Sequence, residues 1–195
     1  MLFVGEKKSG KSQLISRLLD QQTKDELPST LALEYQSTVK LNGDKRVKTN
    51  VYELGGGRNF SNLLEAVLTS GSIASTTVCI VIDLSNPYNA IETAVYWLEA
   101  IRKHSQAALE TLNQTNPIEI AEMNQAMREK WANHVDRDKV NAVPIPVVII
   151  GSKFDEYAKM FEPQLKKLLC MALRFIAQNN GCDLVFGSVR EKKPS

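Results

Sequence analysis

The run of residues 5–12 constrains the fold of this chain more than any other segment. It reads Gly-Glu-Lys-Lys-Ser-Gly-Lys-Ser, a full match to the phosphate-binding loop pattern Gly-x-x-x-x-Gly-Lys-Ser/Thr. A short apolar run at residues 2–4 precedes it, and a helical pattern that includes Leu14 and Leu18 follows it. Strand, loop and helix in this order are the context that the pattern requires. The chain therefore carries the core unit of a phosphate-binding α/β fold.

Each part of the loop has a chemical purpose. Gly5 and Gly10 let the backbone curl so that successive N–H groups point at a phosphate, and the following helix adds the positive end of its dipole. Lys11 would reach the terminal phosphates, and the Ser12 hydroxyl would coordinate magnesium. A glycine-rich turn that holds no ligand is the alternative for the loop alone. We expect this loop to descend from a phosphate-binding loop, whether or not it still binds a nucleotide.

Apolar segments alternate along the rest of the chain. Leu33–Leu41 and Arg46–Leu54 predict two strands, and the turn Asn42–Asp44 between them is a strong hairpin signal. Leu165 and Leu168 belong to the apolar positions that mark the last helix. Strands alternating with helices after one hairpin predict an α/β fold with a mostly parallel sheet and helices on both faces. The remaining predicted strands cover residues 77–84, 147–151 and 183–187, and the helical patterns lie near residues 11–21, 60–68, 91–101, 118–131 and 165–176.

Length and composition fit one domain. A chain of 195 residues with 43% apolar content can bury a full core, so we expect a single domain over residues 1–195. The stretch 110–141 is longer than a crossover between strands requires, and we expect a helical insert there that offers a surface to a partner. Few residues precede Gly5, and the polar tail 190–195 directly follows the last predicted strand. We therefore expect a chain truncated at both ends, without the last helix of its fold.

The bulk composition argues against several classes of partner. With 24 basic and 22 acidic residues the net charge is +2, so we expect no binding to nucleic acid. No window approaches the roughly 18 apolar residues of a membrane-spanning helix, so we expect no membrane insertion. Cys79, Cys170 and Cys182 show no metal-ligand spacing and are typical of a reduced cytoplasmic protein.

A second motif lies where the strand ending at Leu54 gives way to glycines. Residues 53–56 read Glu-Leu-Gly-Gly, where guanine-nucleotide-binding folds carry Asp-x-x-Gly. The Asp of that motif holds magnesium through water, and the Gly amide contacts the third phosphate. Glu53 is one methylene longer than Asp and would crowd or displace the ion. A tight exit from the strand is the alternative explanation of residues 55–57.

A third motif follows the buried strand that ends at Gly151. Residues 152–155 read Ser-Lys-Phe-Asp, where such folds carry Asn-Lys-x-Asp and the Asp carboxylate accepts two hydrogen bonds from guanine. Lys153 and Asp155 match, and Ser152 is shorter than Asn. A helix cap with a surface charge is the alternative. Gly187–Arg190 is a fainter echo of a loop that touches the base.

The order of these motifs favours a ligand site, but the hydrolytic residues are off-pattern. Each motif ends a strand, and ligands of open α/β sheets bind at that edge. Gly57 stands where hydrolytic members carry the water-orienting Gln, so we expect no fast hydrolysis. Thr30 is the candidate for a switch threonine on magnesium. Arg58 could contact a phosphate, although an exposed loop arginine is the more ordinary interpretation.

Several blocks together resemble the dynein light intermediate chains. Within that family the resemblance is closest to the branch of the cytoplasmic dynein that drives retrograde intraflagellar transport. It covers nearly the whole chain, and the Glu-Leu-Gly-Gly-Gly block is more specific than the phosphate loop. The blocks that carry it are Thr30–Tyr35, Tyr52–Gly57, Pro144–Asp155, Leu173–Ala177 and Phe186–Ser188.

The resemblance implies a three-layer P-loop NTPase fold of the Ras type that serves as a non-catalytic motor subunit. Its partners would be the dynein heavy chain and other dynein subunits, in the cytoplasm, the cytoskeleton and the cilium, at the axoneme and basal body. GTP or GDP with magnesium is the expected ligand, and a nucleotide-free scaffold is the alternative. The nucleotide-contact positions that carry over are Gly5, Gly10, Lys11, Ser12, Lys153 and Asp155, and the magnesium positions are Ser12 and Glu53.

Two other functions compete with the motor subunit. A Ras-like regulatory GTPase that binds and slowly hydrolyses GTP is supported by the intact loop and opposed by Glu53, Gly57 and Ser152. A phosphoryl-transferring kinase would need an arginine-rich lid over the phosphates. The sequence shows no such segment, and Arg128, Arg137 and Lys139 in the predicted insert are only weak candidates.

Overall fold

A computed structural model describes residues 1–19, 29–42 and 45–188, with the backbone alone for residues 40–42 and 45. Some sequence predictions fall outside the described residues. These are the end of the first helix at Asp20 and Gln21, the turn residues Gly43 and Asp44, and Val189 and Arg190 of the last motif.

A mostly parallel six-stranded sheet forms the centre of the fold, in the order β2-β3-β1-β4-β5-β6. Among the described strands, only β2 runs antiparallel, against β3, with Leu33 opposite Leu54. The remaining neighbours pair in parallel. The predicted Ras-like sheet with one antiparallel hairpin strand is therefore confirmed. The strands are β1 (Leu2–Gly5), β2 (Leu33–Asn42), β3 (Lys45–Leu54), β4 (Val78–Asp83), β5 (Val147–Ser152) and β6 (Asp183–Phe186).

Helices cover both faces of the sheet. Alternate residues of a strand point to opposite faces, and two separate apolar clusters follow from this. The smaller cluster joins Phe3 and Val81 to Ile15 of the first helix. The larger cluster contains Val4, the residue after Phe3 in β1, together with the fully buried Trp97. The helices are α1 (Lys11–Leu18), α2 (Leu64–Val67), α3 (Ala90–Thr115), α4 (Pro117–Trp131), α5 (Phe154–Met160) and α6 (Pro163–Asn179).

The structure differs from the sequence prediction in two helical regions. The predicted helix over 60–68 is mainly a 3-10 segment, Gly57–Leu63, followed by the four-residue α2. The two-turn helix α5 was not predicted, because seven residues are too few for a periodic apolar pattern. Its start is fixed by Lys153, which has a left-handed φ of 54°.

Within the stretch 110–141, α3 continues to Thr115 and α4 follows after a single residue. Asn116 caps α4 by accepting from the Glu119 N–H, and Pro117 occupies the first turn. Ile120 and Met123 of α4 pack against the core, while Ile118 is 71% exposed. The apolar side of α4 is thus turned inward. In the described part of the chain, no helix is long and apolar enough to span a bilayer.

Candidate functional site

The sequence motifs converge on one cleft of about 810 Å³ at the carboxyl ends of β1, β3 and β5. Parallel strands deliver their carboxyl ends to one edge of the sheet, which explains why distant motifs meet there. The cleft is lined by Gly10, Lys11 and Ser12 of the loop, by Thr30, Glu53 and Gly56, and by Lys153.

The phosphate loop leaves β1 through a close approach to β4. Gly5 has a φ of 144°, and a Cβ atom there would lie 2.2 Å from the Val81 carbonyl oxygen. No larger residue fits without moving the β4 backbone. Gly10 then caps α1, in a left-handed conformation with a φ of 91°. The glycines of the loop are therefore required by its path across the sheet, whether or not a phosphate is bound.

Lys11 lies folded into the loop it follows. Its side chain is 5% exposed, and Nζ donates to the carbonyl oxygens of Gly5 at 3.2 Å and Glu6 at 2.9 Å. Burial lowers the pKa of this ammonium, while the nearby carboxylates of Glu53 and Glu6 raise it. The buried cation thus braces the loop and supplies positive charge at its centre.

Ser12 and Glu53 meet at the position where a magnesium ion would be held. Ser12 Oγ donates to Glu53 Oε1 at 2.7 Å, so the longer Glu side chain reaches the hydroxyl directly. Burial raises the pKa of Glu53, and the Ser12 hydrogen bond and the charge of Lys11 oppose that rise. Glu53 is 4% exposed, and it provides the negative charge that balances Lys11.

The oxygen atoms around this pair suit a hard cation. Within the described part of the chain, Glu53 Oε2 and Thr30 Oγ1 are buried without a hydrogen bond of normal geometry. Ser9 Oγ, in the loop, is likewise buried without a hydrogen bond of normal geometry. Hydroxyl and carboxylate oxygens are the ligands that magnesium prefers, together with the phosphates of a substrate. The residues present therefore supply oxygen ligands for a magnesium ion bound together with a phosphate, but the direct Ser12–Glu53 hydrogen bond that the longer Glu allows would have to open for the ion to lie between them.

The glycine block after β3 packs tightly against the segment before β2. A Cβ atom at Gly55 would lie 2.3 Å from the Thr30 carbonyl oxygen. The Gly55 N–H donates to the Ala32 carbonyl oxygen at 2.6 Å. This contact holds the segment of Thr30 beside β3, and Thr30 and Glu53 line the same cleft. The block thus continues the pairing of β2 with β3 to the edge of the cleft.

Arg58 is not the exposed loop arginine that the sequence suggested. Its guanidinium donates to Glu6 Oε1 at 2.6 Å and to Glu92 Oε1 at 2.5 Å. It also lies 4.8 Å from the centre of the Tyr96 ring. The Tyr96 hydroxyl in turn donates to Ser61 Oγ at 3.0 Å. Through these two ion pairs, Arg58 connects the segment after the glycine block to the phosphate loop and to α3. No phosphate contact is needed to explain it.

Ser152, which stands where the guanine-binding motif has Asn, has a structural role. Its hydroxyl is buried and lies 2.7 Å from the Ser9 carbonyl oxygen and 3.0 Å from that of Ile82. The one hydroxyl proton is shared between these two acceptors. Ser152 therefore ties the phosphate loop to β5.

Lys153 and Asp155, the two residues predicted to lie near the base, have different partners in the structure. Lys153 Nζ donates to Asp83 Oδ2 at 2.5 Å and lines the cleft. Asp155 accepts from Ser188 Oγ at 2.6 Å, and this hydrogen bond is the main cause that lowers the pKa of its carboxyl. Asp155 is not among the residues that line the cleft. Its carboxylate is oriented by Ser188 beside the cleft.

The structure thus brings Gly5, Gly10, Lys11, Ser12 and Glu53 together. Three further participants were not assigned a role from the sequence: Glu6, Asp83 and Glu92, each through its ion pair. Asp83 ends a buried strand at the same edge of the sheet as the motifs, and that position was the signal that could have identified it.

Comparison with known proteins points to one family. The family model "Dynein light intermediate chain (DLIC)" matches residues 1–193. The sequence is 34% identical over 197 residues to cytoplasmic dynein 2 light intermediate chain 1 of Mus musculus, covering 98% of this chain and 54% of that protein. The Danio rerio protein of the same name is 30% identical, with 98% and 53% covered.

A more distant relative belongs to a second dynein. Cytoplasmic dynein 1 light intermediate chain 1 of Rattus norvegicus is 28% identical over 230 residues, covering 99% of this chain and 42% of that protein. The chain spans about half the length of the curated relatives it matches.

The Ser152 tether generates a prediction about stability. Ser152→Ala removes the donor that two buried carbonyl oxygens share, so the free energy of unfolding should fall by about 1–2 kcal/mol. Urea denaturation followed by circular dichroism measures this change. Ser75→Ala is the matched control, since the exposed Ser75 Oγ donates only to the nearby Ser72 carbonyl. Equal losses in the two variants would contradict the tether.

Proposed function

Because the chain belongs to the dynein light intermediate chain family, we propose that it is a non-catalytic accessory subunit of a cytoplasmic dynein. In this role the Ras-like domain is a scaffold that docks on the dynein heavy chain, while the ATP chemistry belongs to the heavy chain. The similarity to dynein 2 light intermediate chains further supports a role in retrograde intraflagellar transport and cilium assembly. The expected locations are the cytoplasm, the cytoskeleton and the cilium, including its axoneme and basal body.

One observation carries the non-catalytic part of the proposal. Gly57 has no side chain to orient an attacking water, and it opens the 3-10 segment Gly57–Leu63. Arg58, the next residue, donates to Glu6 and Glu92 and lies over the Tyr96 ring. A segment held in this way supports a fixed scaffold better than a switch that changes with the nucleotide.

Recovery of the heavy chain tests the docking role. Affinity purification of the tagged full-length protein from ciliated cells should recover a dynein heavy chain in stoichiometric amount, as measured by quantitative mass spectrometry. The same tag on an unrelated Ras-like protein serves as the control. Recovery of exchange factors or effectors without any dynein would refute the proposal.

We also propose that the cleft holds a guanine nucleotide, GTP or GDP, as a structural ligand. Gly5, Gly10, Lys11 and Ser12 would surround the phosphates, and Lys153 and Asp155 would face the base. The Ser12 hydroxyl and the Glu53 carboxylate would hold magnesium. That ion would neutralise phosphate charge when bound.

Lys11 is the decisive residue for the phosphates. Lys11→Ala removes the buried cation of the loop and should reduce the affinity for GDP beyond detection by isothermal titration calorimetry. Because Lys11 also braces the loop carbonyls, the melting temperature is measured in parallel. Lys103→Ala, at an exposed lysine on α3, is the control and should bind as the parent does. Unchanged affinity in a folded Lys11→Ala protein would exclude this site.

Asp155 tests the choice of base. Asp155→Asn replaces an acceptor-only carboxylate with an amide, so the preference for GDP over ADP should fall roughly tenfold or more. Competition titrations with the two nucleotides measure that ratio. Asp138→Asn changes an exposed carboxylate elsewhere and should leave the ratio unchanged. An equal loss for both nucleotides would argue against base recognition by Asp155.

A Ras-like regulatory GTPase with slow hydrolysis is the second candidate. The intact loop and the buried oxygen atoms beside it favour this alternative. Nucleotide-dependent recovery of effectors, together with measurable release of phosphate from GTP, would support it over the scaffold.

A further inference from the structure

Helix α6 leaves a row of large apolar side chains uncovered. Leu165, Leu168, Met171 and Phe175 are 54%, 65%, 55% and 70% exposed. Their spacing of three, three and four residues places them along one side of the helix. We call these four residues the α6 ridge. From Leu165 to Phe175 it covers about three helical turns, or about 15 Å.

The ridge is separate from the side of α6 that holds the helix to the domain. Leu173 and Ala177 are buried in the main core, and Leu169 and Ile176 pack against it. The sequence pattern marked Leu165 and Leu168 as apolar positions of this helix together with Leu169 and Ile176, but one contact with the domain does not cover all of them. A helix that is apolar on two sides is normally covered on both.

No comparable row occurs elsewhere on the described helices. The exposed Ile118 and Val135 lie 17 positions apart in the chain, and the other apolar residues of α4 pack inward. Isolated apolar residues on a surface are ordinary, whereas a contiguous apolar patch marks an interaction site. The α6 ridge is therefore the stronger candidate for a partner surface, rather than the insert at 110–141.

The charges on α6 indicate the chemistry of the partner. The helix contains three basic residues and no acidic one. Lys167 and Arg174 are exposed beside the ridge, while Lys166 Nζ donates to the Ala158 carbonyl oxygen. An apolar row with a basic border is complementary to an apolar row with an acidic border.

We propose that the α6 ridge docks an amphipathic helix of the dynein heavy chain, one whose apolar stripe is bordered by Asp or Glu. This inference rests on the proposed function, because it assigns a surface to that partner. Three turns with anchors three or four residues apart match the way helices pack side by side. Lys167 and Arg174 would pair with the acidic border and fix the register of the partner helix.

The apolar part is tested with the double variant Leu168→Glu and Phe175→Glu. Both side chains are mostly exposed, so the variant should fold, which its melting temperature verifies. Binding to a co-expressed heavy-chain tail should weaken roughly tenfold or more, since a charge in an apolar contact loses both packing and desolvation energy. Ile118→Glu, on the exposed side of α4, is the matched control and should bind normally.

The charged part is tested with Lys167→Glu and Arg174→Glu together. This variant should lower the association rate and reduce its dependence on salt, because rim charges act mainly on encounter. Lys48→Glu, at an exposed lysine on β3, is the control.

The outcomes separate the two proposals. If the parent protein does not bind the heavy-chain tail, the proposed function fails. If the parent binds and both α6 variants bind equally well, only the α6 inference is overturned. Light scattering of the purified full-length protein tests the other occupant, a second copy of the chain. A dimer that the double variant dissociates would show that a second copy occupies the ridge and would overturn the inference.

Discussion

The tight curl of the phosphate loop is the constraint on which the rest of the site depends. A loop whose N–H groups point inward leaves its carbonyl groups to be satisfied from outside. Lys11 donates hydrogen bonds to the carbonyl oxygens of Gly5 and Glu6, and the Ser152 hydroxyl donates to the carbonyl oxygen of Ser9. These bonds come from α1 and β5, so other elements of the domain brace the loop. The same groups would position a phosphate if one were bound.

Charge balance in the cleft follows from that arrangement. The buried ammonium of Lys11 needs a negative partner, and Glu53 supplies it while also accepting from Ser12. A second layer of ion pairs, from Arg58 to Glu6 and Glu92, fixes the segment that follows the glycine block. Both layers favour one rigid arrangement. The proposed scaffold role rests on this arrangement.

The sequence predicted the sheet, the hairpin and the order of the motifs well, because each rests on a local pattern of apolar residues, glycines and turn residues. It failed at α5, which is too short for a period to show, and at Arg58, whose partner Glu92 lies 34 positions away. It also marked Leu168 as an apolar position of α6 without deciding whether that position is buried. Periodicity indicates that a helix side is apolar, but it does not tell which apolar side the domain covers.

The sequence by itself determined the phosphate loop, the Ras-like alternation of strands and helices, and membership in a dynein light intermediate chain family. Only the tertiary structure decided how the loop is braced, which acid balances Lys11 and which apolar side chains stay outside. Ser152 and Ser9 are 143 positions apart, and their contact exists only because β5 and the loop end at the same edge of the sheet. Local patterns fix elements, whereas contacts between distant residues depend on how those elements pack.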